Sequence, residues 1–395
     1  MTSSQPRTTR IVAREPGTSR HHKNRHDKSR RRRGLEVGVA VGLALLIGAG
    51  AAVASTVNRG TEPGADAGTA GGTPAAELKL GYFGNVTHGA ALIGVSKGFI
   101  AANLGQTRLS TQVFNAGPAA IEALNAGAID ATYIGPSPAI NSFVKSKGES
   151  ISIVAGAASG GAQLVVRPDI STPDQLRGKT LATPQLGGTQ DVALRAWLGK
   201  QGFHVSPDGG GDVTINPTDN AQTLKLFQAG KLDGAWLPEP WASRLVLQAG
   251  AKVLVDEKDL WDGSLSGTPR QFPTTVLIVN KAYAAAHPDT VKALLKGHVQ
   301  AVDWLQHAPA AEKASALNAA LKDAGGAELP GDVVDRSLKN IVFTVDPLAG
   351  TYPKLLQDGA DAGITKPAEI TGIFDLTALN AVSATHVSAR GLGKD

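Results

Sequence analysis

A strand, turn and helix pattern occurs twice in this chain of 395 residues, and the two copies lie about a hundred residues apart. Residues 126–138 read AGAIDATYIGPSP, and residues 229–240 read AGKLDGAWLPEP. In each copy a helical run ends at Ala-Gly, a short apolar strand follows, and a turn with proline begins the next helix. Ligands of open α/β sheets bind beyond the carboxyl ends of the strands. Two similar lobes that face each other therefore predict a ligand cleft.

A second pair of turns supports the duplication. Residues 78–83 lead through the turn GNVTHG into one helix, and residues 180–183 lead through the turn PQLGGT into another. Each lobe would then contribute two helix N-termini to the cleft. Their unpaired backbone N–H groups and helix dipoles favour a small anion, and such a site needs neither a metal nor another cofactor.

Composition excludes several classes of function. The chain has no cysteine, so disulfides, thiolate metal sites, a cysteine nucleophile and a lipid-modified cysteine are all excluded. The formal charge of +5 comes from residues 1–34, which hold eleven Lys and Arg against only Glu15 and Asp27. The rest of the chain carries more acidic than basic residues, so we expect no nucleic-acid partner.

The segment that follows the basic leader predicts export. Four arginines at positions 30–33 precede an uncharged run over residues 37–57, roughly the 20 apolar residues that a membrane span needs. The flanking cations mark the cytoplasmic side. Ala52-Val-Ala54 fits a signal-peptidase site, so residues 35–57 fit either a retained transmembrane anchor or a cleaved signal. We expect the protein at the extracytoplasmic face of the membrane, tethered by or released from this segment.

Beyond a flexible linker at residues 58–76, the pattern predicts an α/β fold with a largely parallel sheet. The predicted strands are 78–83, 109–114, 131–134, 151–155, 163–166, 180–183, 213–215, 234–237, 252–255 and 275–279. Amphipathic helices are predicted at 288–306 and 309–321, each beginning at proline. We expect residues 77–165 to begin lobe 1, residues 166–268 to form lobe 2, and residues 269–395 to complete lobe 1 with C-terminal helices.

Three blocks carry a resemblance to a known family. They are FNAGPAAIEALNAGAID at 114–130, TPQLGGTQDVALR at 183–195 and DGAWLPEPWASR at 233–244. Over about residues 78–306 the chain resembles the extracytoplasmic solute-binding components of ABC importers for aliphatic sulfonates, taurine and nitrate. The resemblance implies a type II periplasmic-binding-protein fold, with two α/β lobes joined by two crossings and a solute closed between them. It also implies a monomer that delivers its solute to a membrane permease driven by a separate ATPase.

The same resemblance assigns two ligand loops. Gly135, Pro136 and Ser137 correspond to the loop of the first lobe, and Gly188 and Thr189 to the loop of the second. Glycine lets the backbone approach an oxyanion closely, and a hydroxyl at a helix start can donate to it. Helix capping and ordinary tight turns are the alternative explanation of these residues.

Other candidate ligand-binding residues near these turns are Thr87, His88, Gln163, Trp236, Glu239 and Trp241. His88 would donate to an oxyanion, Trp236 would either wall the cleft or belong to the core, and Trp241 would cover the cleft or the hinge side. A carboxylate of Glu239 aimed into the cleft would repel a simple anion and select a solute with an ammonium group, such as taurine. The helix dipole alone also favours a carboxylate at that position.

Catalytic motifs are absent from the sequence. It contains no Gly-x-Ser-x-Gly, His-Glu-x-x-His or phosphate-loop motif. Asp130 and Asp233 are equivalent positions of the duplication, which explains them better than a catalytic carboxylate pair does. We therefore expect a binding protein rather than an enzyme. Capture of nitrate or of a pyrimidine or thiamine precursor, by an enzyme or a tethered sensor of the same fold, remains the alternative.

Overall fold

The computed structural model describes residues 74–395. The basic leader, the apolar segment and all but the last three residues of the predicted linker lie outside the described residues. In the part of the chain that is described, no helix is both long and apolar enough to cross a membrane.

All ten predicted strands are present with ends no more than five residues from the predicted ones, and short C-terminal strands add to them. The strands are β1 (Glu77–Phe83), β2 (Arg108–Phe114), β3 (Ala131–Ile134), β4 (Ile151–Gly160), β5 (Ala162–Val166), β6 (Thr180–Thr183), β7 (Thr214–Pro217), β8 (Gly234–Pro238), β9 (Lys252–Asp256), β10 (Pro273–Asn280), β11 (Ile341–Phe343), β12 (Phe374–Asp375) and β13 (Gly393–Lys394).

Helices fill most of the connections. They are α1 (Gly89–Ser96), α2 (Phe99–Leu104), α3 (Gly117–Asn125), α4 (Pro136–Lys145), α5 (Thr189–Lys200), α6 (Asn220–Gln228), α7 (Trp241–Ala249), α8 (Lys281–Ala286), α9 (Pro288–His307), α10 (Ala310–Asp323), α11 (Gly331–Lys339), α12 (Tyr352–Asp361) and α13 (Thr377–Asn380). Single 3-10 turns occur at Val86–His88, Pro173–Leu176, Glu257–Leu260 and Ala349–Thr351.

The strands form two sheets with matching topology. The first has the order β13-β12-β4-β10-β3-β1-β2, with β11 against β4, and the second has the order β7-β6-β8-β5-β9. Each sheet contains a parallel trio, β2-β1-β3 or β7-β6-β8. The next strand in each, β10 or β5, is antiparallel to its neighbours. The expectation of a largely parallel sheet is therefore wrong at β10 and β5, because a strand that arrives from the other lobe enters the sheet from the opposite direction. Outside the trios, β12 is again parallel to β4 and to β13.

Asp130 and Asp233 have the same structural role in the two lobes. The carboxylate of Asp130 accepts the backbone N–H of Lys79 at 2.8 Å, and that of Asp233 accepts the N–H of Thr180 at 2.8 Å. The backbone N–H of each aspartate donates to the carbonyl of the same partner residue, again at 2.8 Å. These paired bonds fix the register of β3 on β1 and of β8 on β6, so the two aspartates act as structural residues.

Two segments connect the lobes. The first is the pair Gly160 and Gly161 between β4 and β5, with φ angles of +76° and +74°. Residues with side chains rarely adopt this region, and a Cβ on Gly160 would lie 2.6 Å from the carbonyl oxygen of Asn340. The second connection runs from β9 through residues 257–272 to β10. The carboxyl ends of the two parallel trios thus face each other across these crossings.

Candidate functional site

A cavity, here called the central cavity, lies where the carboxyl ends of the two parallel trios meet. Its polar lining residues are Asn85, Thr87, His88, Asn115, Thr189, Gln190, Asn220, Thr274 and Thr275. Gly117, Gly135 and Gly188 contribute backbone atoms to the wall of the cavity. The centre of a water-sized molecule can occupy about 30 Å³ of this space, which is room for a small polar group.

The wall of the central cavity carries no Lys, Arg, Asp or Glu side chain. His88 is neutral as well, because burial lowers the pKa of its imidazole to about 3. Its Nδ1 accepts the backbone N–H of Phe83 at 3.2 Å, which places the ring proton on Nε2. The imidazole therefore offers an N–H donor without bringing a positive charge.

Helix N-termini converge on the same cavity from both lobes. The helices α3 and α4 begin there in the first lobe, and α5 and α6 begin there in the second. Gly135 and Gly188 are the residues that precede α4 and α5. The first N–H groups of a helix have no acceptor within the helix and carry the positive end of its dipole. An anion is the ligand that this arrangement favours.

Several buried polar atoms at the site have no hydrogen-bond partner among the described residues. They are the hydroxyl oxygens of Ser137, Thr189 and Thr275 and the amide oxygen of Asn220. A buried polar group without a partner costs about 1–3 kcal/mol. Four of the seven such side-chain atoms in residues 74–395 lie at this site, which marks it as a place prepared for a polar ligand.

Gly135 and Thr189 bring the two lobes into direct contact. A Cβ built on Gly135 would lie 2.1 Å from the hydroxyl oxygen of Thr189. Gly135 itself has an extended backbone with φ −73° and ψ 155°, which any residue can adopt. Glycine is therefore required here by the approach of the other lobe rather than by backbone conformation.

A second cavity, here called the aromatic cavity, adjoins the central cavity at Thr189. The centre of a water-sized molecule can occupy about 190 Å³ of this cavity. Residues that line it are Ser137, Thr189, Val192, Ala193, Ala196, Trp197, Lys200, Gln201, Glu257, Leu260, Trp261, Lys354, Leu355 and Asp358. Burial raises the pKa of the Glu257 carboxyl to about 7, although the hydrogen bond from Trp236 acts in the opposite direction.

The structure brings most of the predicted residues to these two cavities. Thr87, His88, Gly135, Gly188 and Thr189 line the central cavity, and Ser137 lines the aromatic cavity. Pro136 is buried at the first position of α4, where it supplies no N–H donor. None of these contacts identifies a solute, so the ligand-binding role of each residue remains a prediction.

Glu239 lies elsewhere, and the expectation that its carboxylate points into the cleft is wrong. The side chain is 0% exposed and binds Arg336 at 3.2 Å and Asn340 at 2.6 Å through Oε1. Its Oε2 accepts the backbone N–H of Ser243 at 3.0 Å and the hydroxyl of Ser337 at 3.2 Å. The carboxylate thus caps α7 and connects it to α11, so this helix N-terminus does not face the central cavity as predicted.

Gln163, Trp236 and Trp241 also lie outside the lining of both cavities. Gln163 accepts from Arg336 at 2.8 Å and donates to Asp256 at 2.9 Å. Trp236 is fully buried beneath the aromatic cavity. The indole N–H of Trp241 donates to the Asn85 side chain of the other lobe at 2.9 Å, so Trp241 joins the lobes on the hinge side.

Sequence reasoning missed two groups of residues. Asn115 follows β2 two residues before α3 begins, whereas Asn220 is the first residue of α6, so the two are not equivalent positions of the duplication and the repeat did not point to them. Thr274 and Thr275 lie on a crossing strand, and Glu257 lies in a polar run that reads as surface. No local pattern distinguishes these three residues.

Comparison with known proteins supports the fold and the family. Residues 71–320 match the NMT1-like family. The taurine-binding periplasmic protein of Escherichia coli is 29% identical over 192 residues, which are 48% of this chain and 54% of that protein. This chain spans only about half, or less, of the length of the first relatives that it matches.

Two solved structures have the same architecture. The alkanesulfonate-binding protein SsuA of Xanthomonas axonopodis pv. citri, bound to MOPS, gives a TM-score of 0.62 at 23% identity and covers 75% of this chain and 96% of that chain. The periplasmic nitrate-binding protein NrtA of Synechocystis gives a TM-score of 0.62 at 17% identity and covers 74% and 83%. The predicted two-lobed periplasmic-binding-protein fold and the resemblance carried by the three sequence blocks are confirmed. The chain belongs to the NMT1-like family.

Proposed function

We propose that the chain is the extracytoplasmic substrate-binding component of an ABC importer, and that it captures a small sulfonate-type solute by closing its two lobes. The observation that carries the proposal is the central cavity, where uncharged donors from both lobes converge on a space without acidic side chains. Such donors stabilise an anion only when the lobes are closed, because half of them belong to each lobe. Closure would then report that the cavity is occupied.

The sulfonate class is supported by the chemistry of the donors. A sulfonate presents three oxygen atoms, and the His88 imidazole, the Thr189 hydroxyl and the helix N–H groups can donate to them together. The taurine-binding and alkanesulfonate-binding proteins named above support the same class. Nitrate has the same charge and also three oxygens, so it is a competing outcome of the test rather than a separate function.

The proposed partners are those of an ABC-importer binding component. We propose that the protein acts as a monomer at the outer face of the membrane, tethered by or released from the N-terminal segment. It would hand its solute to a permease and a separate ATPase. Loss of solute uptake on deletion of the gene would support this role, whereas unchanged uptake would favour a sensor.

A thermal-shift panel on the full chain tests the solute class. Ethanesulfonate, taurine, nitrate, sulfate and a methylaminopyrimidine are compared, because a ligand that binds only the folded state raises the melting temperature. We expect the sulfonates to give the largest shifts and Thr189→Val to abolish them. Thr214→Val is the matched control, since Thr214 is exposed on β7. A shift with nitrate or the pyrimidine alone, or conversion of a bound compound into product, would contradict the proposal.

A further inference from the structure

The wall of the aromatic cavity carries hydroxyl groups near two helix N-termini and a buried carboxylate farther along. Ser137 and Thr189, whose hydroxyl oxygens are buried without partners, lie at the N-termini of α4 and α5. The cavity then follows one face of α5 through Val192, Ala193 and Ala196 to Trp197. Thr189 and Trp197 are eight positions apart, which corresponds to about 12 Å along the helix.

Glu257 is linked to Trp197 through the ring of Trp236. Its Oε2 accepts the indole N–H of Trp236 at 2.8 Å, and the ring of Trp236 meets that of Trp197 edge-on with centroids 6.0 Å apart. The Glu257 side chain lines the cavity although the residue is only 3% exposed. Its second oxygen, Oε1, has no hydrogen-bond partner among the described residues.

No cation of the described chain forms an ion pair with Glu257. Lys354 and Lys200 both bind Asp358 instead, and Lys354 also lies over the Trp261 ring, 4.3 Å from its centroid. Lys354 lies close enough to lower the pKa of the Glu257 carboxyl but does not contact it, and a buried carboxylate without a contacting cation is costly unless a partner compensates it. An ammonium group in the cavity would provide that partner.

From this arrangement, and resting on the proposed function, we propose that the solute is a zwitterion whose sulfonate binds near Ser137 and Thr189 and whose ammonium group binds Glu257. The apolar face of α5 between these groups accommodates the carbon chain that separates the charges. The distance along the helix favours an aminoalkanesulfonate with several carbons over a plain anion. Solute choice is thereby assigned to Glu257, the role that the sequence had suggested for Glu239.

The alternative is that Glu257 only holds Trp236 in place. Glu257→Gln separates the two roles, because the glutamine oxygen can still accept the indole N–H while the negative charge is removed. Glu149→Gln is the matched control, since Glu149 is exposed on the surface of the first lobe. The comparison is made well above pH 7, where the Glu257 carboxyl is ionised, so that each variant removes one negative charge.

The experiment compares matched pairs of ligands by calorimetry on the full chain: taurine with ethanesulfonate, 3-aminopropanesulfonate with propanesulfonate, and 4-aminobutanesulfonate with butanesulfonate. We expect at least one amino compound to bind the unaltered protein about tenfold or more tightly than its partner, a difference of about 1.4 kcal/mol. In Glu257→Gln this ratio should fall close to one, mainly through weaker binding of the amino compound, and in Glu149→Gln it should persist.

Each of the other outcomes refutes a specific part of the proposal. Equal binding of amino and plain sulfonates to the unaltered protein refutes the zwitterion but leaves the sulfonate receptor intact. A preference that survives Glu257→Gln refutes the role of Glu257. Absence of binding by every sulfonate refutes the proposed function together with this inference. If Glu257→Gln does not fold, the ligand pairs measured on the unaltered protein still decide whether the solute is a zwitterion.

Discussion

Replacement of Gly135 by alanine tests whether the contact between the lobes is needed for binding. The added methyl carbon would lie 2.1 Å from the Thr189 hydroxyl oxygen and 3.0 Å from the Thr189 Cβ, whereas ordinary contacts are about 3.5 Å or longer. The lobes would have to separate locally by about 1 Å. Overpacking of this kind costs about 1–3 kcal/mol, and tenfold in Kd corresponds to about 1.4 kcal/mol. We therefore expect the Kd for the best sulfonate to rise by about five- to 150-fold.

The effect should be confined to closure. The backbone of Gly135 is in an extended conformation that alanine adopts without strain, so the lobe itself should fold normally. Calorimetry gives the Kd, and small-angle scattering with and without solute reports whether the lobes still close. Gly84→Ala is the control, because a Cβ at Gly84 would meet no atom within 4 Å. An unchanged Kd and unchanged compaction in Gly135→Ala would refute the argument that this contact limits closure.

Two further predictions concern buried histidines. His88→Phe keeps much of the ring volume but removes the N–H donor, so sulfonate binding should weaken by about 1.5–3 kcal/mol; calorimetry that found no loss would remove His88 from the site. Burial lowers the pKa of His298, which contacts the Tyr133 hydroxyl at 3.0 Å, to about 4. Because the unfolded chain binds the proton more readily below its ordinary pKa of about 6.5, stability is lost as the pH falls. Between pH 7 and pH 5 the His298 contribution should fall by about 2 kcal/mol, and urea unfolding of His298→Gln should lack this part of the pH dependence.

The sequence predicted the lobes well because their construction is local. An Ala-Gly helix end, a short strand and a proline turn each follow from the conformational preferences of a few neighbouring residues. The same construction occurs after both Gly127 and Gly230, which have φ angles of +70° and +74°. Duplication made the prediction stronger, since each copy supported the interpretation of the other.

The side-chain partners could not be predicted in the same way. Glu239 and Glu257 are both carboxylates near the end of a strand of the second sheet, and nothing near either residue separates them. Glu239 is committed to Arg336, which lies 97 positions later in the chain. Glu257 faces a cavity whose opposite wall comes from α12. Only the assembly of distant segments determines which carboxylate is available to a solute.

The paired hydrogen bonds of Asp130 and Asp233 have a consequence for how this architecture can change. Each aspartate fixes strand register at the end of its sheet remote from the cavities, since it lies where the parallel strand begins. A one-residue slip in register would turn every side chain of the strand to the other face. Because the register is fixed at the end of each sheet that is remote from the solute, substitutions in the turns at the other end do not disturb it. Such uncoupling allows a lineage of receptors to exchange solutes by substitution in the turns while the scaffold of both lobes stays the same.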